Sequence, residues 1–265
     1  KELGAIVKDY EGKEVSLDDL YVVVQRINEL YRTKGYVTCR AFLAPQTIHE
    51  GTVHIDLVEG KTGKVEITGQ GSTREAYIQH RIHLDSGKVQ NIQQLNKDLL
   101  RFNSTNDAQL RIALKAGEKD GTTDYVITVA EPQKQVAGIF ADNAGSDTSG
   151  LYRVGAYWQD RDLSGNRDHL FLSTLRSEGM KAVSGSYNTP INRTGTRAGL
   201  SYTSNSVHIT DGYFEPLGVR GHAYALTASL TSPIVTTDTL KSEWGFEYGH
   251  QKSQTDYGTS LGLRS

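Results

Sequence analysis

The chain has 265 residues, 37% of them hydrophobic and 23% charged, with a net charge of −2. This composition excludes a disordered chain, and the near-neutral charge argues against a general nucleic-acid binder held by phosphate contacts. No run reaches the roughly 18 apolar residues of a spanning helix, and a single cysteine, Cys39, rules out an internal disulfide framework or a cysteine zinc cage.

Composition changes near Pro132. Residues 1–131 hold 11 of the 27 glycines and 15 Ser plus Thr, whereas 132–265 hold 16 glycines, 30 Ser plus Thr and both tryptophans, Trp158 and Trp244. The first half reads as α+β and the second as all-β, with short alternating segments and frequent turns.

A repeat of about 70 residues runs through the first half. In the first copy Ser16, with Asp19 three residues on, caps a helix carrying Leu20, Val24, Ile27 and Tyr31 on one face, and Gly35 ends it. Val37, Cys39, Ala41 and Leu43, then Val53, Ile55 and Leu57, alternate as two strands around a Glu50-Gly51 turn. The second copy adds a leading strand (64–68) and a helix (about 73–84) before an Asn91-capped helix with Ile92, Leu95, Leu99 and Phe102 on one face. Its closing strands carry Leu110, Ile112 and Leu114, then Tyr125, Ile127 and Val129, around Asp120-Gly121. The module is β-α-α-β-β, and the first copy begins inside its own first helix, so the chain is expected to start mid-domain.

Hairpins fill the second half, with strands expected near 135–142, 151–159, 168–176, 180–188, 196–203, 222–231 and 239–250. Four have a readable dyad period. One face carries Tyr152, Val154, Trp158, Leu200, Tyr202, Tyr224, Leu226, Leu230, Trp244, Phe246 and Tyr248, and is expected to meet lipid. The other carries Arg153, Gln159, Arg197, Thr227, Glu243 and Glu247, and is expected to line a wet lumen. The strands near 135–142, 168–176 and 180–188 alternate too poorly to assign. Aromatics at strand ends suit interfacial girdles, and mixed Ala, Tyr and Trp faces suit a bilayer better than a packed sandwich. Residues 160–167, 189–195 and 232–238 are compact turns, and 204–221 is a long loop on the opposite rim. A closed barrel needs an even number of strands, at least about 8. About seven are visible, plus the start of one at Leu261–Leu263, so the sequence is expected to be truncated at both ends.

Some residues carry a family resemblance. Tyr31-Arg-Thr-Lys-Gly35-Tyr36-Val37, Arg40-Ala-Phe-Leu-Ala-Pro45-Gln46, Ile48-His-Glu-Gly51-Thr-Val53-His-Ile55 and Val58-Glu59-Gly60 resemble the first POTRA domain of two-partner-secretion transporters. These are the haemolysin-activator (TpsB) type, within the Omp85 superfamily. The second copy resembles their second POTRA domain, and Asp162-Leu-Ser-Gly165-Asn-Arg-Asp168 through Leu172 resembles the turn between the second and third barrel strands. The resemblance implies POTRA domains at 1–60 (N-terminally truncated) and 61–131, then part of a transmembrane β-barrel at 132–265, from a pore of about 16 strands. It further implies an outer-membrane location with periplasmic POTRA domains, a monomeric pore, and ATP-independent export of an unfolded TpsA-type exoprotein recognised by its N-terminal secretion domain. The plug helix and the late-barrel Val-Arg-Gly-Tyr loop are absent; Val219-Arg220-Gly221-His222 mimics the loop but reads as a strand rim. A barrel-assembly factor and a soluble periplasmic binding module are the competing readings.

In this family the module's edge is the strand after its second helix, here 36–43 and 107–115. An extended chain could add there through main-chain hydrogen bonds, at Tyr36, Val37, Thr38, Arg40 and Ala41 and at Gln109, Arg111 and Ala113. No cofactor, metal site or catalytic constellation is expected. Asp160-x-Asp162-x-Ser164-Gly165-Asn166-x-Asp168 resembles a calcium loop but has Phe171 where the bidentate Glu belongs, so it reads as a polar turn. His80 and His83 lack a third ligand, and Gly69-Gln-Gly71 lacks the remainder of a dinucleotide fingerprint.

Overall fold

The computed structural model describes residues 2–237 and 239–258, so the expected strand start at Leu261–Leu263 lies outside the described residues. Two compact units do not follow chain order. One comprises Lys1–Gly69, Ile82–Leu100 and Leu110–Val129, and the other Gln70–Arg81, Arg101–Gln109 and Ala130–Ser265.

In the first unit α1 (Glu2–Lys8) precedes α2 (Leu17–Thr33). The α2 terminus is a full capping box: Asp19 N–H donates to Ser16 Oγ at 3.2 Å and Ser16 N–H to the Asp19 carboxylate at 2.8 Å. Gly35, at φ +83°, turns the chain out of the helix. The buried stripe Val23, Val24 and Ile27 packs with Ala41, and Leu3, Ile6, Val7, Tyr10, Tyr31, Leu43 and Ile55 pack around it. Strand β1 (Cys39–Phe42) pairs antiparallel with β2 (Asp56–Glu59), a shorter pairing than the alternation predicts. Tyr36, Val37 and Thr38 lie in the turn before β1, and Val53 and Ile55 precede β2. The reason is local: Gly35 starts a tight turn closed by Cys39 N–H donating to Tyr36 O at 3.1 Å, which keeps 36–38 from extending.

The second module forms a three-stranded sheet ordered β3 (Lys61–Thr68), β5 (Thr122–Ala130), β4 (Gln109–Ala116), with β3 and β5 parallel. Tyr125, Ile127 and Val129 of β5 are buried as their period predicts, and Gly121 turns between β4 and β5 at φ +71°. On β4 the inward face fades, since Leu110 is buried but Leu114 is exposed. Helix α3 (Glu75–Gln79) is shorter than expected, whereas α4 (Ile92–Thr105) opens on Asn91, whose side-chain oxygen accepts from Gln93 N–H at 2.9 Å.

The rest of the second unit is one antiparallel meander: β6 (Gln135–Asp142), β7 (Arg153–Asp160), β8 (His169–Arg176), β9 (Met180–Pro190), β10 (Arg197–His208), β11 (Arg220–Thr236) and β12 (Lys241–Asp256). Every strand pairs with its chain neighbour in a single seven-stranded sheet. The 204–221 loop is shorter than expected because β10 and β11 extend into it as far as the His208–Arg220 pair.

Burial divides sharply along the chain. Every buried hydrophobic side chain among the described residues lies at or before Val129. Beyond it the buried side chains are polar (Ser149, Asp160, Asp162, Arg167, Asp168, Ser177, Thr196), while Ile139, Tyr152, Phe246 and Tyr248 are 87%, 77%, 61% and 70% exposed. A water-soluble sheet of this size would hide such side chains.

Candidate functional site

Cross-strand register settles which meander residues share a face, because directly opposed residues point the same way. The pairs Trp158 with Leu172, Leu200 with Tyr187, Tyr202 with Leu226, Leu230 with Phe246 and Ala228 with Tyr248 join the apolar sets of neighbouring strands. Val154, Leu200, Tyr224 and Trp244 fall on that same face by alternation, as does Tyr152 one step beyond β7. Arg153, Gln159, Arg197, Thr227, Glu243 and Glu247 fall on the opposite face, as Arg197 with Thr231 and Ser229 with Glu247 illustrate.

Register also assigns the three unreadable strands. Ala137, Ile139, Leu170, Leu172, Val183 and Tyr187 join the apolar face. Alternation fails there because Phe140, Tyr157 and Phe171 gather on the polar face. The Tyr157 and Phe171 rings stack at 6.5 Å, and Gly155 and Gly138 make room: a Cβ on Gly155 would meet the Phe140 ring at 2.4 Å, and one on Gly138 the Tyr157 ring at 2.6 Å.

The two predicted edges differ. In the first module Arg40 pairs across to Val58, and Thr38 O accepts from Gly60 N–H at 3.0 Å, so both face β2 rather than the outside. On the outer side of β1 the Asn28 amide stands where a neighbouring strand would: Ala41 N–H donates to Asn28 Oδ1 at 2.7 Å, and Asn28 Nδ2 donates to Ala41 O at 3.0 Å. One α2 side chain thus protects an edge that would otherwise template pairing. In the second module Gln109, Arg111 and Ala113 lie on β4, an outer strand of its sheet. Asp107, placed by sequence in that strand, precedes it and belongs to a different feature.

That feature is the β7–β8 turn, 161–168, which is polar as expected but buried rather than solvated. Its carboxylates are spent on the turn itself. Asp160 accepts from Asp162 N–H at 2.9 Å, Asp162 from Arg167 N–H at 2.7 Å, and Asp168 from Ser164 N–H at 2.9 Å. The Tyr187 hydroxyl donates to the other Asp168 oxygen at 2.9 Å. Gly165 and Arg167 both take positive φ, +83° and +56°, which sends the Arg167 side chain inward to zero exposure.

Around the Arg167 guanidinium stand three carboxylates. Asp107 accepts from Nε at 2.9 Å and also from Nη2, and Nη1 lies 3.5 Å from Asp162 and 3.8 Å from Glu131. Glu131 accepts from the Ser72 and Thr73 N–H groups at 2.9 and 3.1 Å. The Ser72 hydroxyl lies 2.7 Å from Asp162, and Arg197 closes the cluster by donating to Arg167 O at 2.7 Å. Burial pushes the Asp107 carboxyl up, but hydrogen bonds from His169 and Arg167 and the Arg167 charge outweigh it and hold the group at about 2. Glu131 is likewise raised by burial, then drawn down to about 2 by the Ser72 and Thr73 donors.

The Asp162–Asp168 motif gives no sign of Asp107, Glu131, Ser72 and Thr73, which lie 31 or more residues from it along the chain. The available signal was an arginine flanked by aspartates in an otherwise short turn. No group of three or more His, Cys, Asp or Glu among the described residues could hold a metal. His83 Nδ1 is taken up by the buried Asp98 carboxylate at 2.7 Å.

Comparisons with known proteins agree with this geometry. A family model for the POTRA domain, ShlB-type, matches residues 1–60. The heme/hemopexin transporter protein HuxB of Haemophilus influenzae (strain 86-028NP) is 30% identical over 255 residues, covering 94% of this chain and 45% of HuxB. The outer membrane transporter CdiB of Escherichia coli is 25% identical over 178 residues, covering 66% of this chain and 30% of CdiB. A solved structure of Escherichia coli CdiB superposes with a TM-score of 0.63 at 18% identity, covering 97% of this chain and 48% of that one. The chain therefore spans less than half the length of these relatives. A POTRA region followed by consecutive antiparallel barrel strands is the observed fold, and over the matched residues the sequence is similar to these outer-membrane transporters.

Proposed function

We propose that this chain is the POTRA region and first barrel strands of an outer-membrane pore that secretes one unfolded partner exoprotein without ATP. The observation that carries this reading is the inverted burial of the meander, whose large apolar side chains are exposed and whose buried side chains are polar, joined to a ShlB-type POTRA match. Ile139, Tyr152, Val154, Leu200, Leu226, Phe246 and Tyr248 then contact acyl chains, and Arg153, Gln159, Thr227, Glu243 and Glu247 line a wet passage. The domains divide at 1–60, 61–131 and 132–265, with the POTRA domains in the periplasm and one pore per chain.

The partner is a TpsA-type exoprotein presenting an N-terminal secretion domain in extended form. Its recipient is the backbone of β4 at Gln109, Arg111 and Ala113, by strand addition. The β1 edge is open only at Ala41, where an incoming strand must first displace the Asn28 amide.

Hydrogen exchange on the full-length protein tests both parts. Adding the secretion domain of the exoprotein encoded beside it should slow amide exchange across β4. Binding that leaves β4 exchange unchanged would overturn the edge assignment. Undiminished export of the exoprotein from a strain lacking this gene would overturn the transport reading.

A further inference from the structure

The β9–β10 turn, 191–196, closes with Ile191 N–H donating to Thr196 O at 2.9 Å. Within the second unit this turn and the α3 segment frame a groove of about 500 Å³ lined by Arg74, Tyr77, His80, Arg81, Ile191 and Arg193, among others. Among the described residues no acidic side chain lines it. Among the described residues none of Arg74, Arg81 and Arg193 has a carboxylate within 4 Å. This contrasts with Arg167, which is surrounded by three.

Arg81 is fixed in the groove. Its guanidinium lies 3.5 Å from the Tyr77 ring centroid and donates to Tyr77 O at 3.2 Å and Asn192 O at 2.8 Å. Burial lowers its proton affinity, and the nearby positive charges of Arg193 and Arg197 lower it further, so the cations here repel one another. Like charges gathered in a concave site without a counter-charge favour an anion. At the same mouth Ile191 is 56% exposed, and the turn it begins ends the strands bearing Tyr187, Leu200 and Tyr202 on the apolar face.

We infer that this groove binds the phosphate of an anionic phospholipid headgroup, with Ile191 against the lipid's apolar part. A phosphate between Arg74, Arg81 and Arg193 gains charge-assisted hydrogen bonds, bidentate where the guanidinium fork permits. The apolar neighbour gives a lipid an advantage over free phosphate. The inference rests on the membrane reading above.

The test is native mass spectrometry of the full-length protein in neutral detergent, titrated with phosphatidylglycerol or phosphatidylcholine. Phosphatidylglycerol should bind the more tightly. R74Q/R193Q should weaken it about 25-fold, roughly fivefold per charge near a lipid surface, while R220Q, at the opposite end of the strands, changes nothing. Arg81 is left intact because it also holds the Asn192 turn. Equal binding of the two lipids by a protein that fractionates with membranes overturns this inference and leaves the membrane reading standing. Inorganic phosphate binding as tightly as phosphatidylglycerol overturns the lipid assignment in favour of a free anion. Hexaglutamate displacing phosphatidylglycerol at lower concentration than phosphate overturns it in favour of an acidic peptide.

Discussion

Replacing Arg167 with methionine keeps most of the side-chain volume and removes the charge from a site of zero exposure. Three carboxylates then face one another without their cation, but they do not suffer equally. Glu131 keeps its Ser72 and Thr73 donors, and Asp162 keeps the residue-167 N–H. Asp107 loses its guanidinium bonds and retains His169, 3.5 Å away. Breaking a buried ion pair from one side costs about 3–5 kcal/mol. Asp107 is 30% exposed and can recover some hydration, so the lower end, about 3 kcal/mol, is expected. Arg167→Lys restores a point charge without the fork and should recover about half. Asp107→Asn in the R167M background should cost far less than the same change in wild type, because the pair is already broken. The assay is urea unfolding of the full-length protein in detergent micelles, followed by tryptophan fluorescence. A loss below about 0.5 kcal/mol for R167M would refute the claim that this cluster holds the β7–β8 turn in place.

Stability should also fall in acid. Asp107 and Glu131 titrate at about 2, below their ordinary 3.8 and 4.5, so their contribution is complete above about pH 5 and is lost as pH falls toward 2. The losses are on the order of 2 and 3 kcal/mol respectively, and an unfolding midpoint flat between pH 5 and 2.5 would contradict the linkage. Asn28→Leu leaves the Ala41 N–H and C=O unpaired and should cost about 1–2 kcal/mol, with faster amide exchange at Ala41 as the local signature. Unchanged exchange there would show that the Asn28 amide does not guard the edge. Gly155→Val should be destabilising by about 1–3 kcal/mol through collision with the Phe140 ring, and Phe140→Ala in the same chain should relieve much of it.

Much of this architecture was legible because its signals are local. The Ser16–Asp19 box, the Glu50-Gly51 and Asp120-Gly121 turns and the dyad period of β7, β10, β11 and β12 each sit within a dozen or so residues and need no tertiary information. Strands β6, β8 and β9 resisted because aromatic side chains occupy both faces, a choice explained only by the cross-strand packing of Phe140, Tyr157 and Phe171. The extent of β1 was overestimated because alternation at Val37 ignored the turn made after Gly35. The Arg167 cluster was the largest omission. Asp107, Glu131 and the turn are far apart in sequence, and a polar turn gives no composition signal of its own burial.

The central claim is that the apolar face of the meander meets hydrocarbon. Spin labels at Leu226 and Thr227, adjacent on β11 and on opposite faces, test it in the full-length protein reconstituted in bilayers; the native Cys39 thiol is buried and does not compete. The account predicts that Leu226 is relaxed by oxygen and shielded from a water-soluble nickel complex, and that Thr227 shows the reverse. Equal nickel accessibility at both positions, or protection of Leu226 from both reagents by a second protein layer, would contradict it.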